Sequence, residues 1–553
     1  MLTIPKQGGL RVSAAIRRKR AARQKRFFQE GQRRIKKRLA NIPGPERPIP
    51  MMTPSNIHYE QAARVRGLSA GGIGVILLLA QKLELDKEID RTLHLLKRHL
   101  PYHESDHVLN IAFNIIAGGK RIEHIELRRN DEVYLDALGA ERIPDPTTAG
   151  DFCRRFSSEA DVLTLMNAIN ESRLRVWAQQ PDGFLDEAIL DADGTIVGTD
   201  AECKDEVDIS YDGQWGYHPL LISLANTAEP LFLVNRSGNR PSQERAGEYL
   251  NKAIALCLRA GFRKILLRGD TKIAENKDLD PWDEQILPRD GATIAESGSL
   301  DCWDDAGNIR FIFGYAAYDA LKARADELPD QAYSFLERPP RYTIKTSPRR
   351  RPERVKAEIV RERGFKTIHL LEEMIAEFEY QPAACKKSYR MIVLRKRLAT
   401  DQGQMRLFEE YRYFFYITND RNMSAEEVVF SANDRCNQEN LIAQLKSGVH
   451  ALTTPVDNLV SNWAYMVMAS LGWSLKAWSA LLVPVSPRHE AKHEAEKRTL
   501  LRMEFATFRA AFIEMPCQIV RGGRRLIYRM LSWNPWQDAF PRLVERLHEC
   551  WLC

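Results

Sequence analysis

The chain has no apolar run long and clean enough to read as a membrane anchor. The nearest, Trp463 to Val485, is interrupted by Ser470, Gly472, Ser474, Lys476 and Ser479. It reads as a buried helix, with a break expected near Gly472, and no membrane partner is expected. No apolar segment follows the basic N-terminus, so a secretory signal is not expected. Cysteine is sparse, nine in 553 residues. They are scattered, which offers neither a disulfide framework nor a zinc spacing and points to a reducing, cytoplasmic compartment. The one close pair, Cys550 and Cys553, lacks the second pair that a metal site needs.

What is present is ordinary in bulk and uneven in distribution. Hydrophobic residues make up 44% and charged residues 28%, as in globular proteins. The length suits about three or four domains. The net charge of +7 conceals an asymmetry, since residues 1–50 hold 15 Lys or Arg against 2 Glu. Residues 51–553 carry 66 basic and 72 acidic side chains. The basic run includes Arg17, Arg18, Lys19 and Arg20, and is expected to be frayed until phosphates neutralise it. A polyanion-binding arm is the reading, because no wide apolar face accompanies the charges. The Pro-rich stretch Ile42 to Pro50 closes this first region, 1–50.

Residues 51–183 read as a helical, DNA-binding domain. Val108, Leu109, Ala112, Phe113, Ile115 and Ile116 line one helix face that stops at Gly118-Gly119. Asp145-Pro146-Thr147-Thr148 starts another helix, whose Arg154 and Arg155 suit phosphate contacts; plain helical packing fits these residues equally well. Strand signals dominate from 185 to 235, followed by a helix at about 242–260 and a buried-type strand, Lys264 to Asp270. This β-β-β-α-β order marks an α/β fold, a ribonuclease-H-like core of mixed sheet flanked by helices, over 184–275 and 411–485. Residues 276–410 read as a β-rich insertion with a basic loop carrying Arg349, Arg350 and Arg351. There, Trp282 and Trp303 suit packing better than base stacking. Residues 486–553 read as a C-terminal helical region.

Within the first strand, Ala188 to Val197, Asp191 and Asp193 stand two residues apart and share one face. Carboxylates are poor strand formers and costly to bury. Two readings stay open at this point: a cation site, or a strand that ends in Asp-Gly turn chemistry. His218, before Pro219, suits a turn or core position better than a ligand. Farther on, Ser424 to Glu427 has capping-box spacing, and the helix from Asp434 to Val449 places Arg435, Glu439 and Lys446 on one face. A solvated Arg-Glu pair would give the same spacing.

Taken together, Asp191 to Thr195, Gly216 to Leu220, Leu267 to Asp270 and Asn437 to Asn440 resemble the motifs of DDE transposases of bacterial insertion sequences. The related signature Tyr-x2-Arg-x3-Glu-x6-Lys is matched by Arg435, Glu439 and Lys446, with Ala432 in place of its tyrosine. The resemblance spans roughly residues 60–550. It implies that Asp193, Asp270 and Glu439 are the catalytic, metal-binding carboxylates, with Asp191 in support or as the alternative ligand. It also implies that Arg435 and Lys446 contact phosphates near an element end.

The implied cofactor is a pair of Mg²⁺ ions, replaceable by Mn²⁺. The implied reaction is strand cleavage at terminal inverted repeats of double-stranded DNA, then strand transfer into target DNA. A homodimer or larger synaptic complex near the bacterial nucleoid is expected on the same ground. Two rivals remain open: a ribonuclease-H-like nuclease without strand transfer, and a non-catalytic DNA-binding derivative.

Overall fold

Nine strands of one mixed sheet organise the computed structural model, which describes residues 14–40, 57, 65–284, 308–339, 359, 362–364, 366–402, 405–522, 525–536 and 538–549. In chain order they are β1 (Ala188–Gly194), β2 (Leu220–Leu224), β3 (Glu229–Val234), β4 (Lys264–Gly269), β5 (Asn308–Tyr315), β6 (Ser334–Phe335), β7 (Lys366–Tyr380), β8 (Tyr389–Gln402) and β9 (Met405–Thr418). Across the sheet the order is β6-β7-β8-β9-β5-β4-β1-β2-β3. β1 to β3 form an antiparallel meander. β4 runs parallel to β1, and β5 parallel to β4. The aliphatic runs of these strands are buried on both faces, as strands covered by helices require.

The long strands of 366–418 join the same sheet, where β9 pairs antiparallel with β5. The stretch from Trp215 to Leu224 is divided between two sheets. Trp215–Tyr217 belongs to a small sheet with Val197–Gly198 and Asp208–Ile209. Pro219, which cannot donate to a ladder, stands at that division.

Eight helices bear on the site and its supports: α1 (Ala14–Leu39), α2 (Glu104–Ile116), α3 (Pro146–Arg154), α4 (Glu159–Trp177), α5 (Ala246–Ala260), α6 (Ala425–Asp434), α7 (Cys436–Ala443) and α8 (Leu459–Leu481). α8 is buried from Ser461 to Leu481 and runs unbroken through Gly472, contrary to the expected break. A methyl group at Gly472 would stand 3.6 Å from Ile116 and 3.8 Å from the Ala112 carbonyl of α2, ordinary contact distances, so α8 packs on α2 here without a steric need for glycine. Among the described residues no helix is long and apolar enough to cross a membrane.

A buried network ties the helices to the sheet. The Glu229 carboxylate on β3 accepts from Arg173 Nε of α4 at 3.1 Å and from the Trp177 and Trp478 indoles at 3.1 and 2.8 Å. A buried pair of this kind holds only when its remaining lone pairs are satisfied, and here they are.

The basic run forms α1, a single helix from Ala14 to Leu39. Phe28 is buried, and Gly31 abuts Trp533, which gives that part of the helix a protein surface to rest on. The C-terminal region is not wholly helical: Cys517–Gly522 and Arg525–Met530 form a hairpin that also pairs with Gly67–Leu68.

Candidate active site

One face of the sheet carries Asp191 and Asp193. Leu266, Ile312, Ile375, Ile392 and Leu394 form a small apolar cluster there, and Val428 and Val429 of α6 cover it. α6 starts on a complete capping box, in which Ser424 and Glu427 each bond the other's backbone N–H, at 3.2 and 2.8 Å. The helix ends at Asp434, and Arg435 links it to α7. Gln438 then pins α7 to the sheet: its buried Nε2 donates to the carbonyls of Asp191 at 2.9 Å and Leu221 at 3.1 Å.

Asp191 and Asp193 do point to the same face, into different surroundings. Asp191 is 1% exposed and is held by Arg268, which donates Nε to Oδ1 at 2.7 Å and Nη2 to Oδ2 at 2.9 Å. Arg268 Nη1 also donates to the Ser431 carbonyl of α6 at 2.9 Å. This two-pronged pair gives each carboxylate oxygen of Asp191 an arginine donor.

Asp193 is 20% exposed, and Arg435 Nη1 donates to its Oδ2 at 3.0 Å. The other guanidinium nitrogen of Arg435 lies 3.6 Å from Oδ2 of Asp270, whose side chain is 60% exposed. Asp270 directly follows β4 and Asp193 is the penultimate residue of β1, so two adjacent parallel strands deliver the two carboxylates at their C-terminal ends. Burial pushes the Asp193 carboxyl above its ordinary value, and the nearby Asp270 adds to the rise while Arg435 opposes it.

The glycine after Asp193 is not a turn residue. β1 continues through Gly194, and a methyl group there would stand 2.6 Å from Nε2 of His218. His218 is buried with its Nδ1 at 2.7 Å from the Arg240 carbonyl, a core position rather than a ligand's.

Glu439 is exposed on α7, one turn beyond Arg435. Among the described residues no three His, Cys, Asp or Glu side chains converge closely enough to hold a metal ion. The expected trio is therefore assembled as far as its two aspartates, with the Arg435 guanidinium between them. The donors nonetheless suit a hard divalent cation, because two carboxylates already share one cationic group at the C-terminal ends of the two central strands. Lys446 Nζ donates to the Ile196 carbonyl at 2.8 Å, just past β1. Ala432 packs against the same small cluster as Tyr416 of β9. Burial, with Asp270 adding to it, pushes the Tyr416 hydroxyl up to about 12.

Of the other expected contact residues, Arg154 is engaged by protein: Nε meets Asp457 at 2.9 Å and Nη1 meets Asp151 at 3.1 Å. Arg155 is exposed. Arg17, Arg18, Lys19 and Arg20 lie on α1. Arg349, Arg350, Arg351, Trp303, Cys550 and Cys553 lie outside the described residues. Trp282 is buried and donates to Asn251 at 2.8 Å, a packing role.

Sequence reasoning did not find Arg268 or Gln438. Arg268 had a signal, since a lone cation on a buried aliphatic strand requires a buried carboxylate partner. Gln438 had none.

A solved structure similar to the chain is the cryo-EM structure of a piggyBac transposase synaptic complex with hairpin DNA. It is 11% identical with a TM-score of 0.32, over 80% of this chain and 81% of that one. No curated protein matches. Residues 66–551 match the family model described as transposase DDE domain group 1, and the chain belongs to that family of DDE transposases.

Proposed function

We propose that this transposase binds the ends of an insertion sequence, cleaves DNA strands there with divalent metal ions, and joins the freed end to target DNA. The observation that carries the reading is the meeting of Asp193 and Asp270 on Arg435 at the ends of two adjacent parallel strands. Open α/β sheets place their reactive groups at such strand ends. The strand order β3-β2-β1-β4-β5, with β2 antiparallel to both neighbours, supports a ribonuclease-H-like core.

Asp193 and Asp270, joined by Glu439 from α7, would hold two Mg²⁺ ions, or Mn²⁺ in their place. Bound there, the ions would supply activation of the attacking oxygen and neutralisation of the leaving one. The chain's own residues do the rest. Gln438 fixes α7 against β1, which sets where Arg435 and Glu439 start. Arg435 and Lys446 are charge-assisted donors for phosphate oxygens beside the scissile bond. The basic helix α1, with Arg17, Arg18, Lys19 and Arg20, supplies sequence-independent backbone contacts, as would Arg155 and the segment of Arg349 to Arg351. Two chains or more, each holding one DNA end, would form the working complex in a bacterial cytoplasm.

The test is incubation of the purified protein with labelled DNA carrying the ends that flank its gene, unlabelled target DNA, and Mg²⁺ or Mn²⁺. Metal-dependent cuts at the ends, with labelled end joined to target, are expected. Cuts without joined product would make the protein a nuclease, and no metal-dependent product would end the enzyme reading.

A further inference from the structure

The Arg435 guanidinium lies where a hard cation is expected, 3.0 Å from Oδ2 of Asp193 and 3.6 Å from Oδ2 of Asp270. Arg435 is 8% exposed, so this is a packed position rather than a passing surface contact. We propose that Arg435 is a stand-in cation that couples metal loading to DNA binding, a reading that rests on the metal-dependent function proposed above. In the DNA-free protein its guanidinium holds the two carboxylates together and competes with a divalent ion for the same oxygens.

A guanidinium and a divalent ion repel each other, and both carboxylates would have to satisfy both at close range in a partly buried site. The arginine therefore has to leave before the ion is held well. It leaves at little cost only if another anion receives it, because an arginine stranded without a partner in a partly buried site is costly. A DNA phosphate arriving at the open Asp270 side is such an anion, and it takes a guanidinium in the same forked geometry. The backbone need not move. Gln438, three residues on, keeps α7 bonded to the Asp191 and Leu221 carbonyls, and only the arginine side chain has to turn.

Binding of DNA and of metal are then coupled, and by linkage each strengthens the other by the same factor. A metal that finds no DNA meets an occupied site, which guards against cutting before an end is in place.

The test measures Mn²⁺ binding, not turnover, on the full chain by Mn²⁺ electron paramagnetic resonance, with and without a DNA duplex carrying an element end. For the wild type, binding without DNA should be weak and should tighten about tenfold or more with duplex. Mn²⁺ should tighten duplex binding by the same factor, measured by fluorescence anisotropy. Arg435→Gln should bind Mn²⁺ about tenfold or more tightly than wild type without DNA, and duplex should add little. Asp193→Asn should lose Mn²⁺ binding in both states.

Unchanged or weaker Mn²⁺ binding by folded Arg435→Gln, with Asp193-dependent binding intact in the wild type, would overturn the coupling and leave the metal site standing. Should Arg435→Gln not fold, the wild-type pair of measurements decides, and equal Mn²⁺ affinity with and without duplex overturns the coupling. No Mn²⁺ binding by the wild type in either state would overturn the metal reading itself.

Discussion

Two carboxylate–arginine pairs sit on the same sheet face, built from residues two apart on β1, and they differ in every property that matters. Asp191 and Arg268 are 1% and 5% exposed, bonded in parallel through both oxygens, and backed by a carbonyl of α6. Asp193 meets Arg435 through one oxygen, near a second carboxylate that is 60% exposed. The first pair is closed: its groups have spent their bonding capacity on each other. The second is open, and its charges are only provisionally matched. A buried pair with satisfied geometry is a structural element, while carboxylates held near one another at accessible strand ends are groups available for chemistry. What separates the two is burial and the second partner, not residue type.

The largest effect expected from breaking this comparison is at the open pair. Asp270→Asn should lower cleavage roughly 10³-fold or more in a strand-cleavage assay, with little change in thermal unfolding because the side chain is largely exposed. The pH dependence should follow Asp193. Its carboxyl is raised by burial, so the ionised form needed for metal binding is lost, as pH falls, at a higher pH than for an ordinary aspartate. The linkage sign is the opposite for stability. A raised folded-state value means that this group's stabilising contribution is full at low pH and is lost as pH climbs past it. Asp193→Asn should therefore remove this part of the pH dependence of stability in chemical denaturation.

Next in size is the closed pair. Asp191→Ala leaves Arg268 buried without its counter-charge and should cost about 3–5 kcal/mol in urea unfolding. The double variant Asp191→Leu with Arg268→Met should recover much of that loss. Smaller again is Gly194→Ala, whose new methyl group must displace His218 from its bond to the Arg240 carbonyl. A loss of about 1–3 kcal/mol is expected by thermal unfolding, the usual range for overpacking. The smallest effect belongs to Arg154→Ala. Its bonds to Asp457 and Asp151 are surface pairs at 43% exposure, and their removal should change stability by less than about 1 kcal/mol.

Much of this arrangement is legible in the amino-acid order, and the reason is local. The strands around Asp193 and Asp270 announce themselves as aliphatic runs, and α6 announces itself by Ser424 and Glu427 at capping-box spacing. Arg435, Glu439 and Lys446 have the spacing of one helical face in the sequence, but in the structure Arg435 links α6 to α7 and Lys446 lies in a π-helical turn, Gln444–Gly448, beyond α7. What could not be read is decided by distant partners. The role of Asp191 depends on Arg268, 77 residues away, and that of Gly194 on the His218 ring that fills the place of its side chain. Gly472 suggested a helix break because its intrinsic preference is weak, yet packing against α2 keeps α8 whole. The long strands β7 to β9 join the core sheet through β5 by pairings that no local pattern specifies.

The proposed function assigns Asp193 to the reacting site and Asp191 to the frame that holds it. The most direct measurement compares Asp193→Asn and Asp191→Asn for Mg²⁺-dependent cleavage of end-bearing DNA, at a temperature where circular dichroism shows both folded. Asp193→Asn is expected to give no cleavage, and Asp191→Asn retained but reduced cleavage. Cleavage by Asp193→Asn, alongside a folded but inert Asp191→Asn, would contradict that assignment.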